Sequence, residues 1–214
     1  MANDWILTLI IATLPILMAI TLHEAAHGYA ALKLGDPTAA LAGRVTLNPL
    51  VHIDLVGTLL LPGLMLLVTN GAFAFGYAKP VPVNFARLRH PKRDMRWVAV
   101  AGPFANLVMA IGWMFLQGQI ANPPESAFAN ALLQMCFYGV IINLALMLLN
   151  LLPLPPLDGG RIMVSVLPMR LAIPYARIEP YGIFILLLLL FSGILDAILN
   201  PLMQMTLTLL KTLF

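Results

Sequence analysis

Charged positions are sparse along this chain, and the uncharged intervals between them lay out its elements. The first interval, Trp5 to Leu22, has eighteen residues without a charge, and apolar positions continue past a short polar cluster to Leu34. At about 1.5 Å per residue, a helix over about residues 5–34 exceeds the ~30 Å of a bilayer's hydrocarbon. Pro15 offers it a place to bend, and Gly35-Asp36-Pro37-Thr38 ends it with turn chemistry. Further apolar runs cover Trp97 to about Gln119 and about Ala131 to Leu152, the latter leading on to residue 158. Two shorter ones, Pro180–Leu195 and Ala197–Leu210, are divided by Asp196 and Asn200-Pro201. They read as two short or tilted helices within about 179–213, serving as scaffold or as a gate. The pattern predicts an all-α polytopic membrane protein of about five to six membrane helices, forming a single membrane-embedded domain over 1–214.

Leu55–Tyr77 is the ambiguous interval. It is uncharged, yet the loop after it carries Lys79, Arg87, Arg89, Lys92, Arg93 and Arg96. Basic loops face the cytoplasm, and so do Lys33 and Arg44 by the same rule. A crossing over 55–77 would put one of the two groups on the wrong side. Pro62-Gly63 interrupts a helix, and Asn70-Gly71 is a short hairpin signal. A re-entrant segment or small β-hairpin is therefore expected here, with a short ordinary membrane helix as the alternative. Such a hairpin would offer its edge to an extended peptide.

Composition changes little in this picture. The chain is 61% hydrophobic and 10% charged, against about a quarter charged in soluble domains. A net charge of +3 fits membrane orientation and gives no reason to expect nucleic acid. The single cysteine, Cys136, forms no internal disulfide. The opening segment lacks a basic leader region and runs directly into the polar cluster, so it is expected to be retained. No internal repeat or appended soluble domain is evident.

The chemistry sits inside the first helix. His23-Glu24-Ala25-Ala26-His27 puts two imidazoles four residues apart on one helical face, within reach of one metal ion. Glu24 lies about 100° round from His23, beside the ligands, where a general base for a metal-activated water is needed. Ionisable groups in a membrane are costly unless they function or are neutralised; a satisfied interhelical polar cluster is the plain alternative. Catalytic zinc sites take three protein ligands and keep one position for water. Asp158 is the best third ligand, since 32 uncharged residues, Ser126 to Leu157, precede it. His52, Asp54, His90 and Asp94 are rivals in polar segments, and a helix cap or a pair with Arg161 is the structural alternative for Asp158. Pro153, Pro155 and Pro156 break the preceding helix, and Gly159-Gly160 permits a tight turn. Asn106, alone in an apolar run, is either interhelical glue or a substrate contact.

His23-Glu24-Ala25-Ala26-His27, Gly102-Pro103-Phe104-Ala105-Asn106, and Asn150-Leu151-Leu152-Pro153 leading to Leu157-Asp158-Gly159 together resemble the site-2 protease family of intramembrane zinc metalloproteases. The matches span Thr21–Arg161 in the family's order. The resemblance implies a core of three membrane helices, at about 5–34, 97–119 and 131–158. It implies Zn2+ on His23, His27 and Asp158, with Glu24 as catalytic base. It also implies Asn106 and Asn150 near the substrate or the oxyanion. The expected substrate is a transmembrane protein helix, cut in a prokaryotic cell membrane nearer the cytoplasmic face. No PDZ domain is visible, which suits the family's small prokaryotic members. A divalent-metal transporter or a metal-binding membrane scaffold are the alternative functions; the sequence leaves oligomeric state, substrate and trigger open.

Overall fold

A computed structural model describes residues 4–68, 76, 78–120 and 126–212. The described residues form α-helices and short helical turns, and four helical segments are long and apolar enough to cross a membrane. The Asn70-Gly71 hairpin expectation lies outside the described residues.

Helix α1 (Asp4–Lys33) runs unbroken through Pro15 and the histidine motif. One stripe of it is buried: Pro15, Ala19, His23, His27 and Ala31, four residues apart throughout. Beyond Gly35, whose φ of 111° suits glycine, comes the four-residue helix α2 (Thr38–Leu41). Leu55–Leu60 is one wide helical turn of π type that passes directly into α3 (Leu61–Val68). Pro62 therefore does not interrupt the helix as its sequence suggested. It stands at the second position of α3, at the junction of the two helical types, where a missing N–H is best tolerated. At about 1.5 Å per residue these 14 residues cover about 21 Å, short of a full crossing.

Helix α4 (Pro91–Gln119) begins six residues before the apolar run does, with Pro91 at its first position. Its capping comes from Asp94, whose Oδ2 accepts the His90 N–H at 2.9 Å. Its buried face is again a stripe at spacing four: Asp94, Val98, Gly102, Asn106 and Ala110, ending at Trp113. Helix α5 (Ala127–Asn150) follows, capped by Ser126 Oγ accepting from the Ala129 N–H at 3.1 Å. Helix α4 packs against α1, α5 and α6 (Asp158–Val166), so it is the central rod of the molecule. The apolar core lies between α4 and α5 around Trp113, Cys136, Val140 and Leu144, closed by Leu210 of α9 (Ile194–Lys211). Between α6 and α9 lie α7 (Met169–Ala176) and α8 (Gly182–Phe191). Their apolar stretch, Met169–Phe191, is the fourth candidate span.

Candidate metal centre

The two buried stripes face each other with the helices antiparallel. His27 Nδ1 lies 2.7 Å from the carbonyl oxygen of Val98, and His23 Nδ1 lies 2.6 Å from Asn106 Oδ1. Both partners are acceptors. The orientation of Asn106 follows from its other contacts: its Nδ2 donates to Asn143 Oδ1 at 2.9 Å and to the Ala19 carbonyl at 3.3 Å. Asn143 is fixed in turn by donating its own Nδ2 to the Gly139 carbonyl at 2.8 Å. Each imidazole therefore carries a proton on Nδ1, and in its neutral form it presents a lone pair at Nε2.

Those lone pairs converge. The two Nε2 atoms are 3.0 Å apart, and Asp158 Oδ2 lies 3.3 Å from that of His23 and 3.1 Å from that of His27. Asp158 Oδ2 is buried and accepts no hydrogen bond. With both imidazoles neutral, three electron-rich atoms meet there and repel one another unless a cation joins them. Zinc bonds imidazole nitrogen and carboxylate oxygen at about 2.0–2.2 Å, and tetrahedral geometry at that length separates ligand atoms by about 3.3–3.5 Å. A triangle with sides of 3.0 to 3.3 Å lies at and slightly inside that spacing. Among the described residues, this is the one group of three metal-ligating side chains so gathered.

The other sequence candidates have different employment. His52 is buried and makes its Nε2 contact with the Thr46 carbonyl at 3.0 Å. Asp54 Oδ1 accepts the N–H groups of Val56 and Gly57, at 3.0 and 2.7 Å, and Asp94 caps α4. Arg161 sits over the Phe85 ring, 5.4 Å from its centroid. The ring thus engages the cation that Asp158 was free to pair with.

Comparison with known proteins agrees with this chemistry. The Peptidase family M50 profile matches residues 116–193. YwhC of Bacillus subtilis, named as a zinc metalloprotease, is 38% identical over 192 residues, covering 88% of this chain and 84% of that one. The chain belongs to peptidase family M50. Rip2 of Mycolicibacterium smegmatis, also named as a zinc metalloprotease, is 30% identical over 181 residues, 84% of this chain and 66% of its own. The Synechocystis protein sll0528, named likewise, is 42% identical over 69 residues, which is 32% of this chain and 17% of the relative. No solved structure matches the chain. Family M50 is the site-2 protease family, and this member is a membrane-embedded zinc metalloprotease.

The remaining parts of the M50 site come from backbone as much as from side chains. Glu24 Oε2 accepts the N–H of Val81 at 2.8 Å. Val81 lies between Pro80 and Pro82, so its N–H is the sole donor of that tripeptide backbone. Arg44 holds the segment by donating Nη2 to the carbonyls of Lys79 and Pro80, at 2.6 and 3.3 Å. Asp158 is the first residue of α6, and the chain before it doubles back closely. A Cβ on Gly159 would stand 2.3 Å from the Leu151 and Leu152 carbonyl oxygens, and one on Gly182 of α8 would stand 1.8 Å from that of Pro155. Lys92 of α4 donates to the Leu167 carbonyl at the other end of α6, where a cation also opposes the helix dipole favourably. Asn150 ends α5 and donates its amide to the Leu146 carbonyl at 3.0 Å. An apolar groove of about 350 Å³ runs beside the motif, between Leu22, Ala26 and Tyr29 of α1, the Val45–Leu47 segment, and Ala105 of α4.

Asn143, the Val98 carbonyl and the Val81 N–H were not singled out by the sequence. Asn143 offered the same signal as Asn106, an amide alone in an apolar helix. The two backbone groups offered none.

Proposed function

We propose that this protein is an intramembrane endopeptidase that hydrolyses a peptide bond within or near a transmembrane helix of another membrane protein. The observation that carries the reading is the convergence of the His23 and His27 Nε2 atoms of α1 with the buried Oδ2 of Asp158 of α6. His23, His27 and Asp158 would hold zinc, which when bound supplies a water acidic enough to attack near neutral pH and an electrophile for the scissile carbonyl. Glu24, one position along from His23, takes the proton from the attacking water and returns it to the leaving amine. Asn106 acts behind His23: its carbonyl holds the Nδ1 proton and so the ring's orientation. Asn150, which closes α5 shortly before the ligand loop, is the residue proposed to reach the substrate or its oxyanion.

A helix shields its own peptide bonds, so the substrate must unwind locally before attack. The apolar groove along Leu22, Ala26 and Tyr29 of α1 suits an unwound stretch of apolar chain. His27 lies six residues before Lys33, about 9 Å along the helix axis. With Lys33, Arg44 and the basic loop marking the cytoplasmic side, cleavage falls near that face of a prokaryotic cell membrane. The whole domain, 1–214, would work as one unit.

The direct test is comparison of membrane proteomes from strains carrying the wild-type chain or Glu24→Gln. A protease leaves uncut membrane stubs that accumulate only in the variant, and their wild-type products end inside predicted spans. Identical proteomes, with zinc crossing vesicles that hold either chain, would establish a transporter instead.

A further inference from the structure

Gly102 stands on the α4 stripe midway between the two acceptors that fix the histidines. Val98, Gly102 and Asn106 are four apart, and they face His27 and His23, which are also four apart. A Cβ at position 102 would lie 2.4 Å from His27 Nε2 and 2.6 Å from His23 Nε2. Carbon and ring nitrogen do not approach so closely, and neither ring can swing away without breaking its Nδ1 hydrogen bond. In a helix interior alanine is otherwise preferred to glycine, so the local backbone gives no reason for glycine here. We propose that Gly102 keeps the metal position open: its missing side chain is the space that zinc, or zinc's fourth ligand, occupies on the α4 side. An atom bonded to both Nε2 atoms must lie about 2.0–2.1 Å from each, within about half an ångström of the distances a 102 methyl would adopt. Position 102 thus belongs to the metal site although it contributes no ligand atom. It also bars any residue larger than glycine from that register of α4. The proposal rests on reading His23, His27 and Asp158 as the metal centre.

The test compares purified wild type, Gly102→Ala and Gly112→Ala, since Gly112 lies on the same helix with nothing within 4 Å of its Cβ position. Zinc per chain after loading and desalting is the readout. Wild type and Gly112→Ala should each hold one zinc, and Gly102→Ala less than about a tenth of that. Equal zinc in Gly102→Ala overturns the inference, while no zinc in the wild type would overturn the metal-centre reading beneath it. Should Gly102→Ala fail to fold, the zinc-free melting temperature in a His23→Ala/His27→Ala background decides. There the added methyl meets no imidazole and should lower the melting temperature little or not at all. A loss as large as in the wild-type background would show that the contact with the histidines is not the reason for glycine.

Discussion

Replacing Glu24 by Gln keeps the side chain's shape and its reach toward the Val81 N–H while removing its basicity. Proton transfer by a placed group contributes about 10²–10⁴-fold. The variant should therefore lose cleavage by at least that range and keep its zinc, as elemental analysis of the same preparation would show. Asn106→Ala is the complementary change. It removes the acceptor from His23 Nδ1 and strands Asn143, so the ring loses both orientation and tautomer control. Loss of a ligand's hydrogen-bond partner typically costs about 10–100-fold in metal affinity, and competition with a fluorescent chelator should register a drop of that size. Asn106→Asp should restore part of the affinity, because a carboxylate still accepts from Nδ1. At this scale the three candidate ligands that the structure gathers were legible because they are polar side chains in long apolar stretches. Their positioning partners were legible only where they too are side chains.

Two contacts hold the site's elements in place. Asp36, buried in the turn after α1, accepts from the hydroxyl and N–H of Thr38 and from the Asn84 N–H. It thereby ties the end of the histidine helix to the segment that leads into α4. Burial pushes its carboxyl upward, but the bonds from Thr38 and Asn84 and the nearby Arg87 outweigh that and hold it below the usual carboxylate range. A depressed folded value stabilises above the unfolded value, about 3.9, and that stability is lost as pH falls through the folded one. Melting temperatures of Asp36→Asn should lie below wild type by a constant margin from pH 7 to 5, and the margin should shrink below about pH 4. Gly182→Ala tests the other contact, where α8 presses on the Pro155 carbonyl. That methyl would have to displace the Pro155 backbone and the rigid Pro156 ring, so the variant should lower both zinc content and melting temperature. The sequence outlined α1 well, but the core helix expected over 131–158 is α5, Ala127–Asn150, followed by a proline-broken turn and the separate helix α6 from Asp158. It placed the start of α4 too late, since Lys92, Arg93, Asp94 and Arg96 sit on a helix that begins at Pro91, ahead of the apolar run. It also gave Gly182 no role, because a close approach between distant segments leaves no local trace.

Across the whole molecule, the candidate metal centre is made from the first and sixth helices and braced by the fourth. Zinc should therefore stabilise the assembly by mass action, by about 2.7 kcal/mol at a hundredfold excess over its dissociation constant. Chelation should lower the wild-type melting temperature and leave that of Asp158→Ala unmoved. The measurement that bears most directly on the account is zinc-edge X-ray absorption of the purified protein. Two imidazole nitrogens and one or two oxygens at about 2.0–2.2 Å, with the shell altered or zinc absent in Asp158→Ala, is the predicted result. A spectrum unchanged by Asp158→Ala, or a wild-type chain without zinc, would contradict it.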